Sequence, residues 1–98
     1  MMSIFPFDAD KLIDICRQND VVKVGVFGSM ARGDASEQSD IDLIVEFSQR
    51  KSLLALVALE RKISAALGRK VDLLTEAALS PYLRERIMHD LQVIYEAR

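Results

Sequence analysis

A single cysteine, a single histidine and no long apolar run are what this chain has least of. One cysteine excludes a disulfide framework within the chain and suits a reducing compartment. Cys16 stands among Leu12, Ile13 and Ile15, with no histidine or other base near it in sequence, so it reads as a small buried residue rather than a nucleophile. His89 follows Met88 late in a helical stretch, a surface position rather than a catalytic one. No charged N-terminal region leads into an apolar stretch, so no secretory signal is expected, and no stretch approaches the length of a bilayer span. A cytoplasmic protein without a membrane partner is the expectation. Charge of one sign is also missing. The net charge is −2, and the chain shows no basic stripe of the kind that tracks a polyanion, so no direct nucleic-acid partner is expected. Arg50, Lys51, Arg61, Lys62, Arg69 and Lys70 are interleaved with acids and apolar positions and read as solvated helix and turn faces. Repeats, low-complexity tracts and linkers are absent, and 98 residues suit one domain, 1–98.

What is present alternates between helical and extended patterns. Asp8 caps a helix that carries Leu12, Ile13, Ile15 and Cys16, and Asn19 and Asp20 end it. Val21 to Phe27 is β-branched and apolar on both parities, a strand covered on both faces or nearly so. Gly28 and Ser29 turn the chain, with Ser29 as cap of a short helix through Met30 and Ala31 that Gly33 stops. Asp34 to Ser39 is a polar loop, and Ile41 to Phe47 a second strand. Ser52 caps a long helix whose apolar residues are Leu53, Leu54, Leu56, Val57, Leu59, Ile63 and Leu67, and Gly68 closes it. Lys70 to Leu74 is a third strand. Ser80 and Pro81 open a last helix with Tyr82, Leu83, Ile87 and Leu91 as its buried face, and Val93 to Tyr95 finishes as a short strand. The order predicts an α/β protein: a small sheet with helices packed on one or both faces, in which the helix between the second and third strands permits parallel neighbours without fixing the strand order.

Three features converge on chemistry. The strand-to-helix turn at Gly28 and Ser29 offers free backbone N–H groups, a hydroxyl and room for a phosphate to approach, although Gly-Ser is also a common turn. Asp40 and Asp42, two apart in an extended segment, put both carboxylates on one side, opposite Ile41 and Leu43. Adjacent anions repel, and a hard divalent cation such as Mg²⁺ is a reason to hold them together; a solvent-facing strand edge with ordinary acids is the alternative. Asp72 interrupts a short apolar strand, where an ionised carboxylate is costly unless paired or on a metal, or else faces solvent. If the third strand lies beside the second, Asp72 joins the pair, and three carboxylates near a phosphate cradle describe a two-metal phosphoryl-transfer site.

These residues also carry a resemblance. Gly28-Ser29-Met30-Ala31-Arg32-Gly33, then Ser39-Asp40-Ile41-Asp42-Leu43-Ile44-Val45, then Val71-Asp72 resembles the DNA polymerase beta nucleotidyltransferase superfamily, over about Val24 to Leu74. Within it the chain is most similar to the stand-alone minimal nucleotidyltransferases of HEPN/MNT toxin–antitoxin pairs. The resemblance implies a palm-like fold with a small mixed β-sheet, and ATP as substrate with two Mg²⁺ ions. Asp40 and Asp42 would bind both metals. Asp72 would bind the metal at the attacking hydroxyl and help remove its proton. Gly28 and Ser29 would hold the terminal phosphates and Arg32 would touch the triphosphate, a helix-surface arginine being the alternative. It further implies a HEPN-domain toxin as partner and AMP transfer to it as the neutralising reaction. A competing expectation is a non-catalytic module that neutralises its partner by complex formation. A third is transfer to RNA or a small molecule, against which the lack of a basic stripe weighs. Asp34 and Glu37 are expected to be solvated. Tyr82 and Tyr95 read as packing residues. Met1, Met2, Ile4, Phe5 and Phe7 form an apolar arm, folded back on the core or free to meet a partner.

Overall fold

Asp8 does what its residue type suggests: its side chain accepts a hydrogen bond from the Lys11 N–H at 3.1 Å and starts helix α1, Ala9–Arg17. The computed structural model describes residues 5–36 and 38–97, so Met1, Met2, Ile4 and Glu37 lie outside the described residues. Along the chain α1 is followed by β1 (Val21–Phe27), α2 (Ser29–Arg32), β2 (Ile41–Phe47), α3 (Leu53–Leu67), β3 (Val71–Thr75), α4 (Pro81–Asp90) and β4 (Gln92–Glu96). A single 3₁₀ turn, Glu76–Ala78, which the sequence pattern does not announce, bridges β3 and the Ser80 cap of α4.

The strands form one sheet in the order β3-β2-β1-β4. β1 is antiparallel to both β2 and β4, whereas β2 and β3 run parallel through the α3 crossover, so the sheet is mixed as the resemblance implied. One face is the core. Ile41, Leu43 and Val45 of β2 and Val24 and Val26 of β1 are almost wholly buried there, with Val71 of β3 beside them, under α1 and α3, which pack on each other and on the sheet. Leu12 and Cys16 from α1 and Ile63 from α3 have no exposed surface, and burial of a Leu or Ile of this kind stabilises the fold by about 1.5–3 kcal/mol. Phe5 and Phe7 fold back on this core as a stacked pair with centroids 5.2 Å apart, the first of the two alternatives for the arm.

The other face is more thinly covered, yet no residue of β1 is exposed on it, as expected of a strand covered on both faces or nearly so. α4 and Leu91 lie over it at Gly25, where an added Cβ would stand 2.5 Å from Leu91 Cδ1. The helix sends a single fully buried residue, Ile87, into the fold; Tyr82 is 73% exposed, Leu83 is exposed and Leu91 is half-buried, so most of the expected apolar face of α4 is at the surface. Leu53, Leu54 and Val57 at the start of α3 are exposed as well, because α3 overhangs the sheet before Leu59 and Ile63 reach it. Ser52 and Gly68 cap α3 as expected, Gly68 at φ 68°. Among the described residues no helix is long and apolar enough to cross a membrane.

Candidate functional site

Where β1 ends and β2 begins, on the thinly covered face, the acids meet. Asp42 on β2 and Asp72 on β3 are register partners in a parallel pair, so their side chains leave the same face about 5 Å apart at the backbone. The Ile41 N–H donates to the Lys70 carbonyl at 2.9 Å and locks that register one step earlier. Asp40 sits just before β2 rather than within it, yet its charge reaches Asp42. Burial pushes the Asp42 carboxyl above the usual carboxylate range, and the neighbouring charges of Asp72 and then Asp40 push it further, with a hydrogen bond to Asp72 adding to the rise and the Arg32 charge opposing it. Like charges about 5 Å apart repel by up to about 3 kcal/mol at an effective dielectric constant near 20, an upper bound at a site this open to water.

Gly28 abuts the same carboxylate. It holds φ at 73°, and a Cβ on it would collide with the Asp42 carboxylate oxygen. A side chain is therefore excluded twice, by conformation and by space. Gly28 rather than Ser29 precedes α2, and no side chain caps that helix; Ser29 is its first residue, because the chain needs the left-handed turn at the cap position itself. Gly33 ends the helix at φ 81°, as expected.

Arg32 closes the other side. Its Nε donates to Asp34 Oδ2 at 3.3 Å and its Nη1 to Asp90 Oδ2 at 3.2 Å. Asp34 is therefore paired rather than simply solvated. Lys70 Nζ approaches Asp40 Oδ2 to 3.9 Å while remaining exposed. The loop that delivers Asp40 is fastened by Arg69, whose Nη1 donates to the carbonyls of Ser36 and Ser39, each at 3.2 Å; the Ser36 N–H in turn donates to Ser39 Oγ at 2.8 Å. Arg69 itself is held by Ser64, whose hydroxyl donates to the Arg69 carbonyl at 2.6 Å. The expectation that Arg69 and Lys51 are merely solvated is corrected here: Lys51 binds Asp20 at 2.6 Å, beside the left-handed Asp20 that turns α1 into β1. Arg69 has a structural partner 30 residues away, and no local pattern in sequence announces such a contact. His89 is exposed, Tyr95 packs against the core and Cys16 is sealed in it, with burial pushing its thiol up to about 12.

A large open groove lies elsewhere, at the opposite end of β2 and β3. It measures about 1030 Å³ and includes Phe47, Leu53, Leu56, Ala77 and Arg84 in its walls. The acid cluster is instead an open shelf. Among the described residues, no group of three or more His, Cys, Asp or Glu side chains is arranged to hold a metal ion together.

Residues 9–94 match the model of the nucleotidyltransferase domain family. A Methanocaldococcus jannaschii protein, provisionally named a protein adenylyltransferase, is 42% identical over 80 residues, which span 82% of this chain and 86% of the relative. The protein adenylyltransferase MntA of Thermococcus cleftensis is 38% identical over 71 residues, 72% of each chain. Among solved structures, a chain of a toxin–antitoxin complex crystallised with AMP-PNP superposes with a TM-score of 0.83 at 25% identity, covering 93% of this chain and 75% of that one.

Proposed function

This chain belongs to the nucleotidyltransferase domain family, and from that premise we propose that it is an antitoxin that transfers AMP from ATP to a protein partner, a HEPN-type toxin, and so neutralises it. The observation that carries the reading is the register pairing of Asp42 with Asp72 beside Asp40, a concentration of negative charge that the fold does not need and a triphosphate alone would shun. The names of the relatives, and the nucleotide analogue in the complex with a similar fold, support the same reaction class.

The donor set fits Mg²⁺. A pair of carboxylates on an open shelf suits this ion, since it uses one or two carboxylates and completes its shell with water and substrate phosphates rather than with an all-protein cage. Asp40 and Asp42 would hold two ions and Asp72 one of them. When bound, the ions would neutralise the triphosphate, stabilise the charge that develops at the α-phosphate and make the acceptor hydroxyl more acidic. Gly28 and Ser29 would take the terminal phosphates, Gly28 by keeping the approach to the backbone clear and Ser29 through its hydroxyl. Arg32 would steady the triphosphate. The acceptor hydroxyl oxygen would bond to the α-phosphorus in line with the departing oxygen, the bond between the α-phosphorus and its bridging oxygen would break, and pyrophosphate would leave. Asp72 would receive the hydroxyl proton.

A second reading has its own observation. Leu53, in the wall of the groove, and Leu54 next to it are 76% and 81% exposed, and two neighbouring leucines presented in this way suit a partner's surface. On that reading the domain neutralises the toxin by covering it. One experiment decides between them: incubation with α-labelled ATP, Mg²⁺ and the product of the neighbouring gene as candidate toxin, with an Asp40→Asn, Asp42→Asn control. Label on the toxin that is absent with the control supports transfer. A stable complex without label from any nucleotide, and neutralisation at full strength by the double variant, would replace transfer with masking.

A further inference from the structure

Helix α2 is a single turn of four residues, too short to hold its own position. It is braced by one short segment near the far end of the chain. Gln92, the first residue of β4, donates from Nε2 to the Ala31 carbonyl at 2.7 Å, and Asp90, the last residue of α4, accepts from Arg32 Nη1 at 3.2 Å. The two contacts span 61 and 58 residues of sequence. Leu91 between them is anchored over Gly25, so the segment is fixed to the sheet while it grips the helix.

The effect on Arg32 is specific. A guanidinium is a planar fork with donors in fixed directions. With Nε on Asp34 and Nη1 on Asp90, two points of that plane are set, and Nη2 has no hydrogen-bond partner among the described residues. The Arg32 charge is felt at Asp42, so the fork stands within electrostatic range of the acids. Ion pairs this exposed contribute little to stability, and the fold has no need of this one.

We infer that Asp90 is a positioning residue for the nucleoside triphosphate: it orients Arg32 so that the remaining face of the guanidinium meets the phosphates, and Gln92 keeps the turn of α2 at the matching height. The inference rests on the proposed nucleotidyl transfer and adds a residue outside the motif to it. Asp90 touches no substrate and acts only through Arg32.

The test is calorimetric titration of ATP in Mg²⁺ into the full chain and four variants: Asp90→Asn, Asp90→Glu, Arg32→Ala and the Arg32→Ala, Asp90→Asn pair. Asp90→Asn is expected to weaken binding about five- to tenfold, with recovery in Asp90→Glu and a melting temperature moved by less than about 2 °C. In the Arg32→Ala background the second substitution is expected to change nothing, because the group through which it acts is gone. Wild-type affinity in Asp90→Asn, or losses that multiply in the pair, would overturn the inference and leave nucleotide binding standing. A wild-type chain that takes up no ATP in Mg²⁺ would overturn both, and loss of melting temperature in step with affinity would reduce Asp90 to a structural tie.

Discussion

Asp42 and Asp72 occupy facing positions on two parallel strands, and Asp42 carries a raised proton affinity because of burial and of that neighbour. An acid whose folded-state pKa lies above its unfolded value binds its proton more readily when folded. Its charged form therefore opposes folding at neutral pH, and the opposition is relieved as pH falls through the folded-state value.

Asp42→Asn should consequently melt above wild type in metal-free buffer at pH 7, with the gap closing as pH falls through the raised folded-state value, while nucleotide transfer is lost. Scanning calorimetry in EDTA across that range checks the first part and a labelling assay the second. A variant that melts below wild type at pH 7 would mean that the Asp42 carboxylate stabilises the fold.

Gly28→Ala should be damaging although it adds one methyl group. The left-handed φ and the collision with the Asp42 carboxylate act together, with an expected loss of about 1–3 kcal/mol on denaturant unfolding and at least about 100-fold in transfer rate. Gly33→Ala, which shares the positive φ but meets nothing within 4 Å, provides the control and should cost less and retain activity.

Arg69→Ala should unfasten the Ser36 and Ser39 carbonyls and with them the approach to Asp40. The expected outcome is a fall in turnover of about tenfold with the midpoint of urea unfolding lowered only slightly. Hydrogen exchange at residues 38–40 should rise in the same variant.

Cys16 should be silent toward thiol reagents in the native protein. Its thiol is sealed from solvent and pushed up to about 12, so at pH 8 the thiolate is scarce as well as inaccessible. Labelling by iodoacetamide should follow global unfolding as urea is added, and rapid labelling in native buffer would contradict the packing of α1.

Much of this was legible in the sequence because it is local. The caps Asp8, Ser52 and Ser80, the left-handed glycines 33 and 68, and the spacing of Asp40 from Asp42 each rest on a few neighbouring residues. The pairing of Asp72 with Asp42 was conditional on strand order, which the α3 crossover permits without dictating. What could not be read was where apolar residues exceed the surface available to cover them. Leu53, Leu54, Tyr82 and Leu83 fit a helical face by spacing, yet all four are exposed, because spacing alone does not say whether another element lies over that face. The long-range grips of Arg69 and Asp90 were equally silent, since a polar side chain gives no periodic signal of a partner 30 or 58 residues away.

The order in which the chain is synthesised gives the parallel β2–β3 pairing a further meaning. β1 and β2 can meet early, as neighbours joined by a short excursion, but Asp72 reaches Asp42 only after the whole of α3 has been made and folded across the sheet. Arg32 waits longer still, for Asp90. A nascent chain that ends before β3 therefore holds no assembled acid cluster, and the cluster marks a late stage of the molecule's own construction.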